Sequence, residues 1–341
     1  GFIAFSIGGE FRISNIKQIG TSSITITFFQ ACLATLLVDA ALLACGFPAP
    51  LSLTLGAIAA ATAPAATLMV VRQYHAKGEV TSTLLPVVAM DDAVGLMLFS
   101  ISLPISQALA SNAALTVTSM LLQPLLEIVL SLAVGAGIGL LIALAMRFFH
   151  SKVNRISVAV AAVLLGSALA SIWNLSSLLL CMAIGAVLVN LRNDADELLE
   201  ITDAWTPPLF MLFFVLSGAE LDLAVVPTVG LLGVVYMVAR SLGKYFGSFL
   251  GATIAKSSPN IRKYLGLTLL PQAGVAIGMA QVALNALPEY GAHIQAVVLT
   301  ATLIYELIGP VITKLALTAA GEIQDSKKSK AKTEQSAGGA K

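Results

Sequence analysis

The sequence predicts an all-α polytopic membrane protein built as an inverted-topology repeat with two interrupted crossing helices. Three observations carry that expectation. Of the 341 residues, 57% are hydrophobic and only 11% charged, with a mean hydropathy of +0.91. Such a balance fits a helical membrane protein and excludes bulk disorder. Basic residues fall in alternate loops, and the two ends of the chain share a pattern at one constant spacing.

The chain opens inside an apolar segment, Gly1 to Gly8, with no initiator Met and no basic n-region. It reads as the end of a membrane helix whose beginning is absent, not as a signal peptide. About 20 apolar residues cross a bilayer as a helix. Ten candidate spans follow, near 24–45, 52–71, 81–102, 119–147, 156–171, 177–190, 206–219, 228–250, 263–284 and 293–316. The acidic run Asn190 to Asp203 reads as a solvated connector or short surface helix. A membrane domain thus occupies 1–320. The remainder, 321–341, is rich in Lys, Ser and Gly, lacks periodic apolar positions, and reads as a disordered tail.

Arg12, Lys17, Arg72, Lys77, Arg147, Lys152, Arg155, Arg192, Lys256, Arg262, Lys263 and Lys314 fall in or beside alternate loops, together with the tail lysines. The intervening loops, near 46–51, 103–118, 172–176, 220–227 and 285–292, contain no Lys or Arg. This positive-inside pattern places the first loop and the C-terminus in the cytoplasm and supports the span count. Of nineteen basic residues, only Arg240 and Lys244 stand inside a span away from its ends.

Ser6-Ile-Gly8-Gly-Glu10 matches Leu216-Ser-Gly218-Ala-Glu220 at an offset of 210; Gly20 matches Gly230, and Leu55-Gly56 matches Leu265-Gly266 at the same offset. Seven spans separate the matched loops, an odd number, so the halves are inverted in the membrane. Each half carries one interruption: Ala61-Thr62-Ala63-Pro64 and Pro271-Gln272-Ala273-Gly274. Pro64 and Pro271 remove backbone donors, and Gly274 tolerates non-helical angles. Interrupted helices at matching positions of an inverted repeat point to a mid-membrane binding site.

Asp91-Asp92 supplies the chemistry for such a site. No other charge lies between Leu84 and Phe99, and an ionised carboxylate in hydrocarbon costs several kcal/mol (order of magnitude). Neighbouring helix positions point about 100° apart, so one carboxylate faces the ion path while the other reaches a partner. Like charges this close disfavour double ionisation, which suits exchange of a proton for a cation. Lys244 is the natural counter-charge, with Arg240 one turn earlier. Thr62 and Gln272 offer neutral oxygens near the crossing, suited to coordinating an ion or to satisfying broken backbone. Glu306 is expected to neutralise Arg240. Asp39 and Glu127 are candidates to line a cation-attracting funnel, while Glu10 and Glu220 read as loop anchors. Cys32, Cys45 and Cys181 are scattered, and His75, His150 and His293 are expected near helix ends, so neither a disulfide framework nor a metal cluster is expected. The run Gly135-Ala-Gly137-Ile-Gly139 lies in a continuous apolar span and reads as a packing motif, not a nucleotide loop. Without a His/Cys cluster, nucleophile elbow or phosphate loop, enzymatic activity, cofactors and nucleic-acid partners are not expected.

At these residues the chain resembles the cation:proton antiporter superfamily, specifically its sodium/hydrogen exchanger domain, shared by Kef-type potassium-efflux proteins and bacterial Na⁺/H⁺ antiporters. Gly56 through Thr62-Ala63-Pro64 looks like the first crossing helix, usually with Thr-Ser-Pro. Asp91-Asp92 looks like the ion-binding pair, and Ser241-Leu-Gly-Lys244 like the segment supplying its lysine. The resemblance implies that Asp92 binds the transported monovalent cation and that Asp91 pairs with Lys244. Pro271-Gln-Ala-Gly274 stands where many relatives carry Arg-Gly-Glu, which favours Na⁺ or Li⁺ over K⁺. An Asp-Asp pair, as opposed to Asn-Asp, implies electrogenic exchange. The resemblance further implies about two spans before Gly1, a homodimer in the full-length protein, and a bacterial inner or plasma membrane. The alternatives are a K⁺/H⁺ antiporter and a sodium-coupled symporter of an organic anion.

Overall fold

The computed structural model describes residues 1–9, 11–14, 20–111, 123–149, 151–173, 175–192, 194–219, 230–272 and 274–323. Glu10, Glu220, His150 and the tail from 324 lie outside the described residues. The described elements are helical: α1 (Phe2–Gly9), α2 (Thr21–Ala44), α3 (Ala49–Ala59), α4 (Pro64–Gln73), α5 (Glu79–Ala110), α6 (Gln123–Ala145), α7 (Lys152–Trp173), α8 (Ser177–Leu191), α9 (Ala195–Trp205), α10 (Pro207–Ala219), α11 (Gly230–Ile254), α12 (Pro259–Tyr264), a 3₁₀ turn (Leu265–Leu269), α13 (Gly274–Ala286) and α14 (Gly291–Ala319).

Both interruptions are present. The span expected at 52–71 is α3 and α4, broken at 60–63, and the span expected at 263–284 is α12 with its 3₁₀ turn, broken before α13. In the second case the two pieces meet at 49°. The 210-residue offset extends to element ends: Thr21–Ala44 corresponds to Gly230–Ile254, Ala49–Ala59 to Pro259–Leu269, and Pro64 to Gly274, the first residues of α4 and α13.

Five described helices, α2, α5, α6, α7 and α14, are long and apolar enough to cross a membrane, and the bent pair makes a sixth span. The other expected spans fall on α3 with α4, α8, α10 and α11, each short of that length or hydropathy. Interruption leaves α3 and α4 with 11 and 10 residues, and α8 has 15. Arg240 and Lys244 dilute the hydropathy of the 25-residue α11. The acidic run forms the surface helix α9. Ahead of it, Arg155 bonds Asp194 at 2.8 Å and Glu197 at 2.9 Å, while Arg192 bonds Asp194 at 2.8 Å. The hydrogen bond from Arg192 holds the Asp194 carboxyl below its ordinary range.

α2 and α11, the repeat mates, pack against each other along their length. A methyl group added at Gly243, Gly247 or Gly251 would lie 2.5, 2.6 or 2.8 Å from the Cα atoms of Ala34, Gln30 and Ile26 respectively. The contacts step four residues up one helix and four down the other, so the mates run antiparallel, as inverted halves require. Small residues permit this approach where lipid supplies no hydrophobic drive between helices. The close contact places Arg240 and Lys244, both fully buried, against the polar side of α2.

The end of the membrane domain differs from the expected boundary. Glu322, expected to begin a solvated tail, is buried. Its carboxylate accepts hydrogen bonds from the backbone N–H of Val80 (2.6 Å) and Thr81 (2.8 Å) and from the Thr81 hydroxyl (2.7 Å), and its carbonyl accepts from Lys77 N–H at 3.0 Å. Helix N-termini leave backbone donors unsatisfied and favour negative charge. Glu322 therefore caps α5, the helix that carries Asp91 and Asp92, and Ile323 packs on an apolar cluster that includes Val80, Leu84 and Leu317.

Two stability outcomes follow. Gly247→Ala should lower stability by about 1–3 kcal/mol through overpacking, whereas Gly233→Ala, with open space around it, should leave it unchanged or slightly raised. Glu322→Ala should cost about 0.5–2 kcal/mol as a lost cap. Thermal melting of the detergent-solubilised protein checks both, and equal midpoints for G247A and G233A would contradict the packing argument.

Candidate ion-binding site

Breaking a helix inside an apolar interior frees backbone N–H and C=O groups that water does not reach, and each costs several kcal/mol (order of magnitude) if left unpaired. The site is built around satisfying them. The two breaks meet directly: Ala63 N–H donates to Pro271 O at 2.9 Å. The Thr62 hydroxyl donates to Leu269 O at 3.3 Å and the Thr67 hydroxyl to Thr268 O at 3.1 Å. The Gln272 amide donates to Ile58 O at 3.1 Å and exchanges a hydrogen bond with the Tyr236 hydroxyl. Thr62 and Gln272, repeat mates, each use their side chains to staple the opposite broken helix.

Arg240 completes the stitching. Its guanidinium donates to Ala59 O (3.1 Å), Ala61 O (2.7 Å) and Leu270 O (2.7 Å), with Pro271 O at 3.4 Å, and lies 4.5 Å above the Tyr305 ring. The expected neutralisation of Arg240 by Glu306 is not formed. Among the described residues, every hydrogen-bond acceptor of Arg240 is a backbone carbonyl, and Glu306 Oε1 is buried without a hydrogen-bond partner. Carbonyls at the C-terminal ends of half-helices carry partial negative charge, so three or four of them replace one carboxylate.

One turn further along α11, Lys244 Nζ donates to Ala60 O and pairs with Asp91 Oδ2 at 2.8 Å, both side chains being fully buried. The other Asp91 oxygen accepts from the Gln30 amide on α2. Gln30 was not singled out from sequence, although a signal existed: it is the repeat mate of Arg240. Tyr236 and Tyr305 were missed too, since aromatic residues in membrane helices carry no distinguishing pattern.

Asp92 stands apart. It is 7% exposed, and its Oδ1 is buried with no hydrogen-bond partner among the described residues. The Thr62 backbone amide and the Asp91–Lys244 pair are its polar surroundings. Adjacent positions on α5 thus hold one carboxylate fully engaged and one with an open valence beside the first break. Pro64 begins α4 and Gly274 begins α13, each just past its break. Asp39 also has a buried, unpartnered oxygen, packed where a side chain at Gly56 would collide with it. It lies on α2 against α3, away from the Asp91–Lys244 cluster. Glu127 lies on α6 and lines a separate hollow. The structure therefore assembles Asp91, Asp92, Lys244, Thr62, Gln272 and Arg240, and leaves Glu306, Asp39 and Glu127 outside that assembly.

The fold is similar to that of the sodium proton antiporter MjNhaP1 from Methanocaldococcus jannaschii. The structure of that protein at pH 8 superposes with a TM-score of 0.69 at 22% identity, covering 95% of this chain and 84% of the other. Its electron-microscopy map gives 0.66 at 19% identity, covering 96% and 85%. A search of curated proteins gave no match. The model of the family described as sodium/hydrogen exchanger, transmembrane, matches residues 2–319. With nearly its whole length matched, this multi-pass membrane protein belongs to the sodium/hydrogen exchanger family and is a secondary active transporter that couples a monovalent cation to protons.

Proposed function

We propose that the protein exchanges Na⁺ or Li⁺ for protons, with more than one proton per cation, and that Asp92 is the carboxylate the two ligands share. The observation that carries this reading is the open, buried oxygen of Asp92 beside the helix crossing, next to an Asp91 already engaged by Lys244 and Gln30. A buried carboxylate without a counter-charge is satisfied either by a proton or by a cation, and one site holds them alternately. The Thr62 hydroxyl oxygen, on the residue whose backbone amide faces Asp92, is the neutral ligand nearest at hand for the cation's coordination. Lys244 contributes the second proton by releasing it when Asp91 turns to the cation, and Arg240 with Gln272 keeps the crossing rigid. The active unit is a homodimer in a bacterial inner or plasma membrane, with the basic loops and the C-terminus cytoplasmic. This orientation is supported by the charge asymmetry of the loops.

In vesicles, Asp92→Asn should abolish cation-dependent collapse of a proton gradient for Na⁺, Li⁺ and K⁺ alike. Exchange at the parental rate in D92N would sink the assignment, and the three cations tested separately fix selectivity. In the parent, the apparent KM for the cation should rise as pH falls, because protons and cation compete for one carboxylate; a flat KM across the active range contradicts competition.

Lys244→Ala leaves Asp91 buried and unpaired, which costs about 3–5 kcal/mol. The double variant D91N/K244M removes both charges and should recover most of that stability. If Lys244 carries a proton through the cycle, the double variant should exchange with less charge moved per cation. Membrane-potential dependence of the flux measures this, and an unaltered dependence assigns Lys244 to a purely structural role.

A further inference from the structure

Two adjoining hollows lie at the end of the molecule whose loops lack Lys and Arg: the larger, about 580 Å³, between α5, the α6–α8 group and α13, and the smaller, about 310 Å³, between α1 (Gly1 to Ala4), α5, α8, α10 and α13. They share Ser177, Leu178, Val282 and Asn285 as walls. Phe99 and Leu103 line the larger, and Leu96 lines the smaller. Asp92, Leu96, Phe99 and Leu103 follow one stripe of α5 at helical spacing. The hollows thus descend along the face that carries Asp92. The smaller one stops at Leu96, one turn or about 6 Å of helix axis from Asp92, and Leu96 is 1% exposed. Among the described residues lining the larger hollow, Glu127 is the only charged one, and its remaining polar walls are hydroxyls, amides and backbone; the smaller hollow has no charged side chain in its walls and is bordered by Gly1. A lone carboxylate in a narrow hollow with low-dielectric walls concentrates cations and repels anions.

We propose that these hollows are the vestibule on the Lys/Arg-free face of the transporter, that Glu127 is a recruiting site there for the hydrated monovalent cation, and that Leu96 is the apolar plug between it and Asp92. This rests on the exchange reading above. The vestibule draws the cation from bulk water into the hollow with its hydration retained, since a single carboxylate and neutral oxygens do not replace a full shell. Displacement of Leu96 then opens the last turn to the open oxygen of Asp92.

Proteoliposomes holding the full chain in defined orientation test this, with Na⁺ applied to one face at a time and proton flux followed. Glu127→Gln should raise the apparent KM for Na⁺ at the Lys/Arg-free face about 3–10-fold, the effect of losing one focusing charge, and more than at the basic face. Glu127→Asp should restore most of the difference. An equal change at both faces, or none at either, overturns the recruiting site. As a second measurement, Glu127→Cys in a chain with Cys32, Cys45 and Cys181 replaced by Ser should react with a membrane-impermeant cationic thiol reagent from the Lys/Arg-free face, more slowly as Na⁺ rises. No reaction, or reaction from the basic face, overturns the vestibule. A parent protein that exchanges no cation for protons refutes the function reading itself, an outcome distinct from a parent that exchanges normally while E127Q behaves like it.

Discussion

Everything in this fold depends on how two helices are interrupted in an apolar interior without stranding their backbone. The usual solution in a membrane is to leave no helix broken. Here both breaks are pressed together, so that each serves as the other's hydrogen-bonding partner through Ala63 and Pro271, Thr62 and Leu269, and Gln272 and Ile58. Arg240 holds the carbonyls that remain. This requires a long side chain delivered from a third helix at close range, which in turn requires Gly243, Gly247 and Gly251 where α11 meets α2. The glycine contact, the arginine and the crossing are therefore one construction.

Much of it was legible in the sequence because membrane physics leaves few options. The interruptions announced themselves as Pro and Gly inside apolar runs. The 210-residue offset marked them as corresponding positions, and the structure extends that correspondence to the ends of α2/α11 and of the broken helices. Asp91, Asp92 and Lys244 were visible because charge is scarce there. What was not legible is instructive. Pairing Arg240 with Glu306 followed from counting formal charges, but the acceptors are backbone dipoles, which no residue letter records. Glu322 was read as solvated because its sequence neighbours are polar, whereas its partners are backbone N–H groups some 240 positions earlier. α3, α4 and α11 fall short of the length or hydropathy of a simple span for the same reason that they matter: breaks and charges are what a site needs and what a hydropathy window penalises.

The repeat also shows where the two halves have diverged, and the chemistry lies at those positions. Arg240 corresponds to Gln30: one grips carbonyls, the other grips Asp91. Asp91 and Asp92 correspond to Ala301 and Thr302, so only one half carries the carboxylates, and Leu96 corresponds to Glu306. The symmetric features, the crossing and the antiparallel contact of α2 with α11, build a scaffold that is indifferent to direction. The asymmetric substitutions install a single charged centre on one side of it. A symmetric pair of carboxylate sites would face each other across the crossing with like charge. Installing the aspartates in one half and the basic residues on the opposing α11 avoids that repulsion and lets Lys244 meet Asp91 across the axis.

On the role proposed for Asp92, coupling between cation and proton follows from the same asymmetry. Asp91, bonded to Lys244 and Gln30, is close to neutral as a unit, so the centre's net charge is set by Asp92. Protonated or cation-bound, Asp92 is neutral; empty and ionised, it is a buried carboxylate whose neighbouring ammonium is already paired with Asp91, a state that costs several kcal/mol in order of magnitude. Water in an open vestibule relieves that cost, and closure around the site restores it. The empty, ionised form is thus tolerated while the site is open to solution and suppressed while it is occluded. Reorientation proceeds with a proton or with a cation, and the unloaded crossing that would uncouple the two is the one step that desolvation opposes.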